Sequence, residues 1–344
     1  MVSFAIVGFG FRGAAIWRVS TLLSGLTCVG AVLRRPRPVP VPAFGSLAEC
    51  LRRARPDFLV TAVPRAAGPA VIAEAVAHGL PVLAETPPAP DLAGLRELWA
   101  TAGRSGLVQV AEQYLLMPAH AARLAAVRRG LIGTPTQVQV SSTHQYHAVS
   151  LIRGLLGVGH EPAVVRATRT VAPLVDPQNR AGWTGDPVAR PATTTIATVD
   201  FGGGRSGLYD FTDNQSRNQL RFRRLLVRGT RGELRDDEVV RLAAPRRIVR
   251  SPLVRAEPGL ITLGGDVLYR SPVPGPRLND DEVATAVLLR AMAAWVGGAA
   301  PAPYPLADGA QDHRIALAIE QAADTGATVT TTAEAWNEGP GRAR

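Results

Sequence analysis

The chain contains no lysine; all 38 of its basic residues are arginine. That absence excludes a Schiff-base lysine and any lysine acting as acid or base. Cysteine is nearly as scarce. Cys28 and Cys50 are too few for a disulfide framework and lack metal-ligand spacing, so they point to a reduced, cytoplasmic protein. Aromatic residues make up only 5%. The arginines are scattered rather than gathered among aromatics, so the net charge of +10 does not read as a nucleic-acid surface. It fits instead the Ala-, Gly-, Pro- and Val-rich composition of GC-rich coding. The densest group, Arg217 to Arg228, alternates with apolar residues like a strand solvated on one side. No run approaches the roughly 18 apolar residues that a membrane helix needs. No basic stretch precedes Met1 to Val7, which reads as a first strand and not as a signal peptide. There is no G-x-S-x-G nucleophile elbow, and no His/Cys/Asp/Glu cluster has metal spacing.

What is present fits two domains in 344 residues, with 46% hydrophobic residues to build their cores. Short apolar runs at Phe4 to Val7, Thr27 to Leu33, Phe58 to Ala62, Val82 to Ala84 and Val108 to Val110 alternate with helical patterns near 11–23, 46–54, 66–78 and 91–104. That alternation predicts a parallel sheet with helices on both faces. Residues 36–42, where Pro recurs, read as an extended loop. A helix over 116–129 leads to a different regime: a strand at Thr136 to Thr143 and a helix over 147–156. Strands follow at Thr194 to Phe201, Ser206 to Phe211, Leu220 to Arg228 and Val239 to Leu242, and read as an antiparallel sheet. Helices near 280–297 and 307–324 close the chain. Residues 172–192 and 244–275 are rich in Pro and Gly and read as long loops of the kind that cover sites. The expected fold is an α/β Rossmann domain with a doubly wound parallel sheet over 1–115, then an α+β domain over 116–336 with an open, mostly antiparallel sheet. Its closing helices can pack back on the first domain, and a flexible tail covers 337–344.

Gly8-Phe9-Gly10-Phe11-Arg12-Gly13 is a G-x-G-x-x-G that follows the first strand and opens a helix, the context that gives this motif meaning. Gly8 permits the tight turn, Gly10 lets backbone approach a pyrophosphate, and Gly13 allows close helix–strand packing. N–H groups at the helix start then face the phosphates. The second strand ends in Arg34-Arg35, where an NAD site would place an acid for the ribose hydroxyls. Two guanidiniums suit a 2′-phosphate, so NADP is favoured, with NAD as the alternative. Glu85, at the carboxyl end of a parallel strand, is a candidate ribose contact, with a helix-entry carboxylate as the rival reading.

Several further segments read together: Thr61-Ala62-Val63-Pro64-Arg65, Ala84-Glu85-Thr86-Pro87, Ala111-Glu112-Gln113-Tyr114, Tyr146-His147-Ala148-Val149-Ser150, and Tyr304 through His313. In this order and spacing, over about residues 3–336, the chain resembles the Gfo/Idh/MocA family of glucose–fructose oxidoreductases, inositol dehydrogenases and rhizopine-catabolism relatives. The resemblance implies a Rossmann domain followed by an α/β domain whose open sheet often forms the oligomer interface, hence a homodimer or homotetramer. It implies hydride transfer between a nicotinamide cofactor and a small-molecule substrate at an interdomain cleft, with cofactor contacts at Val63, Pro64, Glu112 and Gln113 besides the glycine turn, Phe11 and Arg12.

The chain departs from that pattern at three places. The family's Glu-Lys-Pro triplet is here Glu85-Thr86-Pro87, so a hydroxyl replaces the ammonium that would lower the energy of a developing alkoxide. The family's histidine early in the second domain corresponds to His147, but its two usual acid partners are Thr143 and Ser150. His147 is the candidate acid/base, with Tyr146 or Thr86 assisting, and a packing or capping histidine is the rival reading. His144, Trp183 and His313 are weaker substrate candidates. The expected activity is oxidation or reduction of a sugar-like or cyclitol-like substrate, or reduction of an imine, with a place in specialised metabolism. A cofactor-retaining lyase or epimerase and a dinucleotide-binding protein without turnover stand as alternatives.

Overall fold

The computed structural model describes residues 1–179, 181–257, 259–273 and 278–339. Among them run eight α-helices: α1 Phe11–Ser20, α2 Leu47–Arg53, α3 Gly68–Ala77, α4 Leu92–Ala102, α5 Pro118–Arg128, α6 Gln145–Leu156, α7 Asp280–Val296 and α8 Leu306–Thr325. The chain divides into two compact units. One comprises Met1–Met117, Ser271–Gln311 and a closing segment from Glu334; the other comprises Pro118–Arg270 and Asp312–Ala333.

The first unit holds six parallel strands, β1 Val2–Val7, β2 Leu26–Val32, β3 Ala43–Phe44, β4 Phe58–Thr61, β5 Val82–Ala84 and β6 Val108–Val110. Their order is β3-β2-β1-β4-β5-β6, the doubly wound order that reverses between β1 and β4. Strands buried on both faces are continuously apolar: Phe4 to Ile6 and Phe58 to Val60 are fully covered, and the Phe4 and Phe58 rings stack at 5.3 Å. Helix starts are written locally. The Ser46 hydroxyl accepts the Glu49 N–H, Asp91 accepts the Gly94 N–H, and Asn279 with Glu282 makes a capping box for α7. Helix α7 belongs to this unit. Leu288, Leu289 and Met292 join the core of Ile6, Ile16 and Val60, and Arg18 pairs with Glu282. The segment from Ser271 to Gln311 thus lies with the first unit, where α7 buries its apolar stripe. Trp336 is likewise completely buried, edge-on to Trp99, with Nε1 donating to Gln311 Oε1 at 3.1 Å. Covering such a side chain contributes about 2–3 kcal/mol. The expected tail is ordered at Asn337–Glu338 within a 3-10 turn, while 340–344 lie outside the described residues.

The second unit contains β7 Pro135–Ser141, β8 Val164–Leu174, β9 Gln178–Asn179, β10 Gly182–Trp183, β11 Arg190–Asp200, β12 Ser206–Thr212, β13 Arg224–Gly229, β14 Gly232–Arg235, β15 Glu238–Ala244, β16 Arg247–Glu257, β17 Leu260–Leu263, β18 Asp266–Arg270 and β19 Val329–Thr330. Eleven of these form one sheet in the order β18-β17-β16-β15-β14-β13-β7-β12-β11-β8-β19, while β9 and β10 make a separate hairpin. The sheet is antiparallel except where β12 runs parallel to β7. Its inward residues Val138, Val140, Leu225 and Val227 are buried. Helix α6 packs close because position 207 is glycine; a Cβ there would stand 2.7 Å from Ile152 Cγ2.

Two expected loops are in part sheet. Residues 172–192 carry the ends of paired strands β8 and β11 and the β9–β10 hairpin, and 244–275 holds β16, β17 and β18. Along β16 only Leu253 is buried, so no alternating stripe marks that strand, and Pro252 imitates loop punctuation. The strand expected from Leu220 begins at Arg224; Leu220 and Phe222 lie exposed in the turn before it.

Candidate functional site

The glycine turn in the first unit follows from backbone constraints. Gly8 has φ +85°, and a Cβ there would lie 2.5 Å from the Ala62 carbonyl oxygen. A Cβ at Gly13 would run into the Gly8 carbonyl oxygen. A Cβ at Gly10 would meet nothing within 4 Å, so backbone there faces open space. Helix α1 begins immediately beyond, with no acid in its first turn and no side chain capping Gly10. A close-packed turn under an open backbone and an uncapped helix start fits a pyrophosphate.

Beside this turn lies a cleft of about 860 Å³, lined by Gly8, Gly10, Val32 to Arg37, Ser46, Val63 and Pro64 among others. Arg34 and Arg35 are thus on its wall, as is Arg37, which also donates to the Phe9 carbonyl oxygen. Sequence reasoning missed Arg37 because it sits in the proline-rich stretch read only as a loop. Phe11 projects outward at 81% exposure, and Gly13 is buried beneath the turn.

Arg12 turns toward the carboxyl end of β5. Its Nε donates to Glu85 Oε2 at 2.9 Å, and its Nη1 lies 3.7 Å from Asp281 Oδ2 on α7. Burial lowers the Arg12 pKa, but the charges of Glu85 and Asp281, the Glu85 hydrogen bond and Glu112 outweigh it and hold it above its ordinary value. Glu85 is therefore the carboxylate partner of Arg12. Thr86 leans on the same carboxylate, its N–H at 3.1 Å and its hydroxyl at 3.3 Å from Glu85 Oε1. Glu112 and Gln113, just past β6, are both buried; Glu112 accepts the Tyr114 N–H, and Gln113 Nε2 donates to Asp281 Oδ1 at 2.9 Å. Asp281 was missed as well. Its only sequence signal is membership of the acidic run 280–282, which reads as helix capping.

In the second unit, α6 presents its imidazole from a fixed start. The Tyr209 hydroxyl accepts the Gln145 N–H at 3.1 Å, and burial raises the Tyr209 pKa, so the phenol stays neutral. His147 and Tyr146 are buried at 9% and 4% exposure. The His147 ring lies 4.9 Å from that of His144 and 5.4 Å from that of Tyr146, and Tyr146 lies 6.0 Å from His313 on α8. Four candidates scattered over 170 positions are thereby gathered into one cluster. Behind them Arg153 donates to Asp312 at 2.5 Å and, through Nε and Nη2, to the Gly159 carbonyl oxygen. This pair is nearly dry and locks α6 to α8 beside His313. Ser150 donates to the His147 carbonyl oxygen at 2.9 Å, an ordinary helix back-bond. Thr143 is 1% exposed. Trp183 stands apart on β10, 72% exposed. Among the described residues no group of three or more His, Cys, Asp or Glu could hold a metal ion, and no helix is long and apolar enough to cross a membrane.

Residues 2–113 match the model of an oxidoreductase family with an NAD-binding Rossmann fold, GFO_IDH_MocA. No curated protein matches the chain. Solved structures share the fold along nearly its whole length. An Agrobacterium radiobacter oxidoreductase, in complex with NAD+, L-tartaric acid and magnesium, is 15% identical with a TM-score of 0.71, covering 95% of this chain and 98% of its own. A myo-inositol dehydrogenase from Corynebacterium glutamicum is 18% identical with a TM-score of 0.68, covering 97% and 100%. The WlbA dehydrogenase from Bordetella pertussis, in complex with NADH and UDP-GlcNAcA, is 16% identical with a TM-score of 0.67, covering 97% and 98%. The glycine turn, the doubly wound sheet and the match over residues 2–113 identify an NAD-binding Rossmann segment of the GFO_IDH_MocA type in the first unit, and along its remaining length the chain is similar to these solved structures in fold.

Proposed function

We propose that the chain is an NADP-preferring oxidoreductase of a sugar-like, cyclitol-like or imine substrate, with His147 moving the proton. The observation that carries the cofactor half is the open turn at Gly10 beside a cleft walled by Arg34, Arg35 and Arg37. Planar guanidiniums donate N–H bonds in pairs to phosphate oxygens, and the end of β2 offers no acid to a ribose 2′-hydroxyl. A nicotinamide nucleotide, when bound, supplies or accepts the hydride. The chain's own residues bind and orient it and handle the proton.

For that proton, His147 is the candidate in the second unit, oriented by its ring neighbours His144 and Tyr146 and by the anchored start of α6. Thr86 is the weaker helper, because its hydroxyl already leans on Glu85. Arg12 supplies fixed positive charge near Glu85 but gives up no proton at neutral pH. Loss of the ammonium therefore favours reduction of an iminium, which is electrophilic already, over oxidation of an alcohol. The same loss supports, as second readings, a cofactor-retaining lyase or epimerase and a dinucleotide binder without turnover. We propose also that copies pair through the uncovered sheet face around Ile196, Leu208 and Leu226, giving a homodimer or homotetramer.

Calorimetry with NADP and NAD tests the cofactor half. Arg34→Asp with Arg35→Ser is expected to weaken NADP about 10- to 100-fold and to leave NAD nearly unchanged; equal effects would show that both arginines merely face water. A panel of sugars, cyclitols and imines tests the chemistry. His147→Ala should keep nucleotide affinity and lower turnover about 100-fold or more, and unchanged turnover removes His147 from the reaction. Nucleotide binding with no turnover on any member leaves the non-catalytic reading standing.

A further inference from the structure

The side chain of Gln113 is buried, and its two ends are treated differently. Nε2 donates to Asp281 Oδ1 at 2.9 Å, while Oε1 has no hydrogen-bond partner among the described residues. A carboxylate only accepts, so Asp281 fixes which end of the Gln113 amide faces it. The carbonyl end is left as a buried acceptor without a donor, an unfavourable state that a ligand donor would relieve. Asp281 is held in turn by Arg12, which also donates to Glu85. All four residues belong to the first unit. Glu85 and Gln113 follow the carboxyl ends of β5 and β6, the edge on which open parallel sheets take their ligands.

We propose that Asp281 is a positioning residue for the pyridine end of the nucleotide. By taking the Gln113 amide N–H, it fixes the Gln113 carbonyl oxygen as the acceptor for the ring's primary carboxamide. The inference rests on the nicotinamide binding proposed above. Three features recommend the carboxamide: it is neutral, it donates through N–H, and an acceptor of fixed orientation distinguishes it from a ketone at the same ring position. A ribose hydroxyl or a trapped water is a rival donor that the test separates.

The test titrates the wild type, Asp281→Asn and Gln113→Leu with three ligands, in the NADP or the NAD series, whichever the wild type binds tighter. They are the dinucleotide, its 3-acetylpyridine analogue, whose methyl ketone has no N–H, and the matching ADP-ribose, which lacks the pyridine. The wild type is expected to prefer the carboxamide over the ketone about fivefold, the usual yield of one hydrogen bond. Asn at 281 both donates and accepts, so the Gln113 amide is free to turn over and the preference should fall close to unity. Gln113→Leu removes the acceptor and should do the same, which keeps the idea testable if Asp281→Asn folds poorly. ADP-ribose affinity should stay within about twofold throughout. A preference that persists in both variants, or is absent from the wild type, overturns the assignment and gives the oxygen to ribose or water. An ADP-ribose affinity that falls in step with that of the dinucleotide makes Asp281 a structural residue and overturns it too. A wild type that binds neither ADP-ribose nor dinucleotide ends the nucleotide reading and this inference together.

Discussion

The candidate sites of the two units carry polar chemistry of different kinds. In the first, charged groups are tied into ion pairs: Arg12 with Glu85 and Asp281, Arg18 with Glu282, Arg96 with Glu334. In the second, the candidate site is a packing of rings, His144, Tyr146, His147 and His313, with one dry ion pair behind it. Phosphate binding asks for fixed donors and fixed charge, which short backbone turns and guanidiniums supply. Proton transfer asks for a titratable group in a shaped, poorly solvated place, which only tertiary packing supplies. The difference teaches that the glycine turn is held by local geometry, whereas the carboxylates around Arg12 and the ring cluster around His147 are both brought together by long-range packing.

Three experiments press on that contrast, from the largest expected effect down. Asp312→Ala removes the carboxylate that Arg153, only 5% exposed, donates to. Chemical unfolding should show a loss of about 3–5 kcal/mol, with the ring cluster disturbed and the glycine turn intact. A loss below about 1 kcal/mol would mean that water replaces the carboxylate without penalty.

Gly13→Ala and Gly10→Ala dissect the turn. The first pushes a Cβ into the Gly8 carbonyl and should destabilise by about 1–3 kcal/mol. The second meets no neighbour, so its thermal midpoint should hold while nucleotide affinity falls. Equal destabilisation by the two would break the distinction between packing and approach.

The smallest effect concerns His120 in α5. Burial, helped by Arg123, lowers its pKa to about 3. The unfolded chain takes up a proton below about pH 6.5 and the folded chain does not. Stability is therefore fully present above that pH and declines as pH falls toward 3. Between pH 6.5 and 5 the wild type should lose about 1–2 kcal/mol that His120→Gln does not lose. Matching pH profiles for the two would show that His120 is solvated or protonated in the fold.

How much was legible in the chain follows the same division. The glycine turn stood between β1 and α1 and Arg34 and Arg35 just past β2, because the glycines act through their own backbone and the two arginines follow a strand that its apolar run reveals. Arg37 and Asp281 did not show. One sits in a proline-rich stretch and the other in an acidic helix start, and either pattern has a sufficient local explanation. In the second unit β16 to β18 were hidden because an exposed meander buries almost no alternating stripe. His313 is 166 residues from His147, and the Arg153–Asp312 pair helps to hold it beside Tyr146.

The sequence alone determined the parallel sheet, the phosphate-ready turn and the want of an ammonium at Thr86, since strand burial, glycine geometry and residue chemistry are properties of short segments. The tertiary structure decided which carboxylates hold Arg12, where α7 and Trp336 belong, and which rings surround His147. Those depend on contacts between residues far apart in the chain, and no local pattern encodes which distant surface will cover a given side chain.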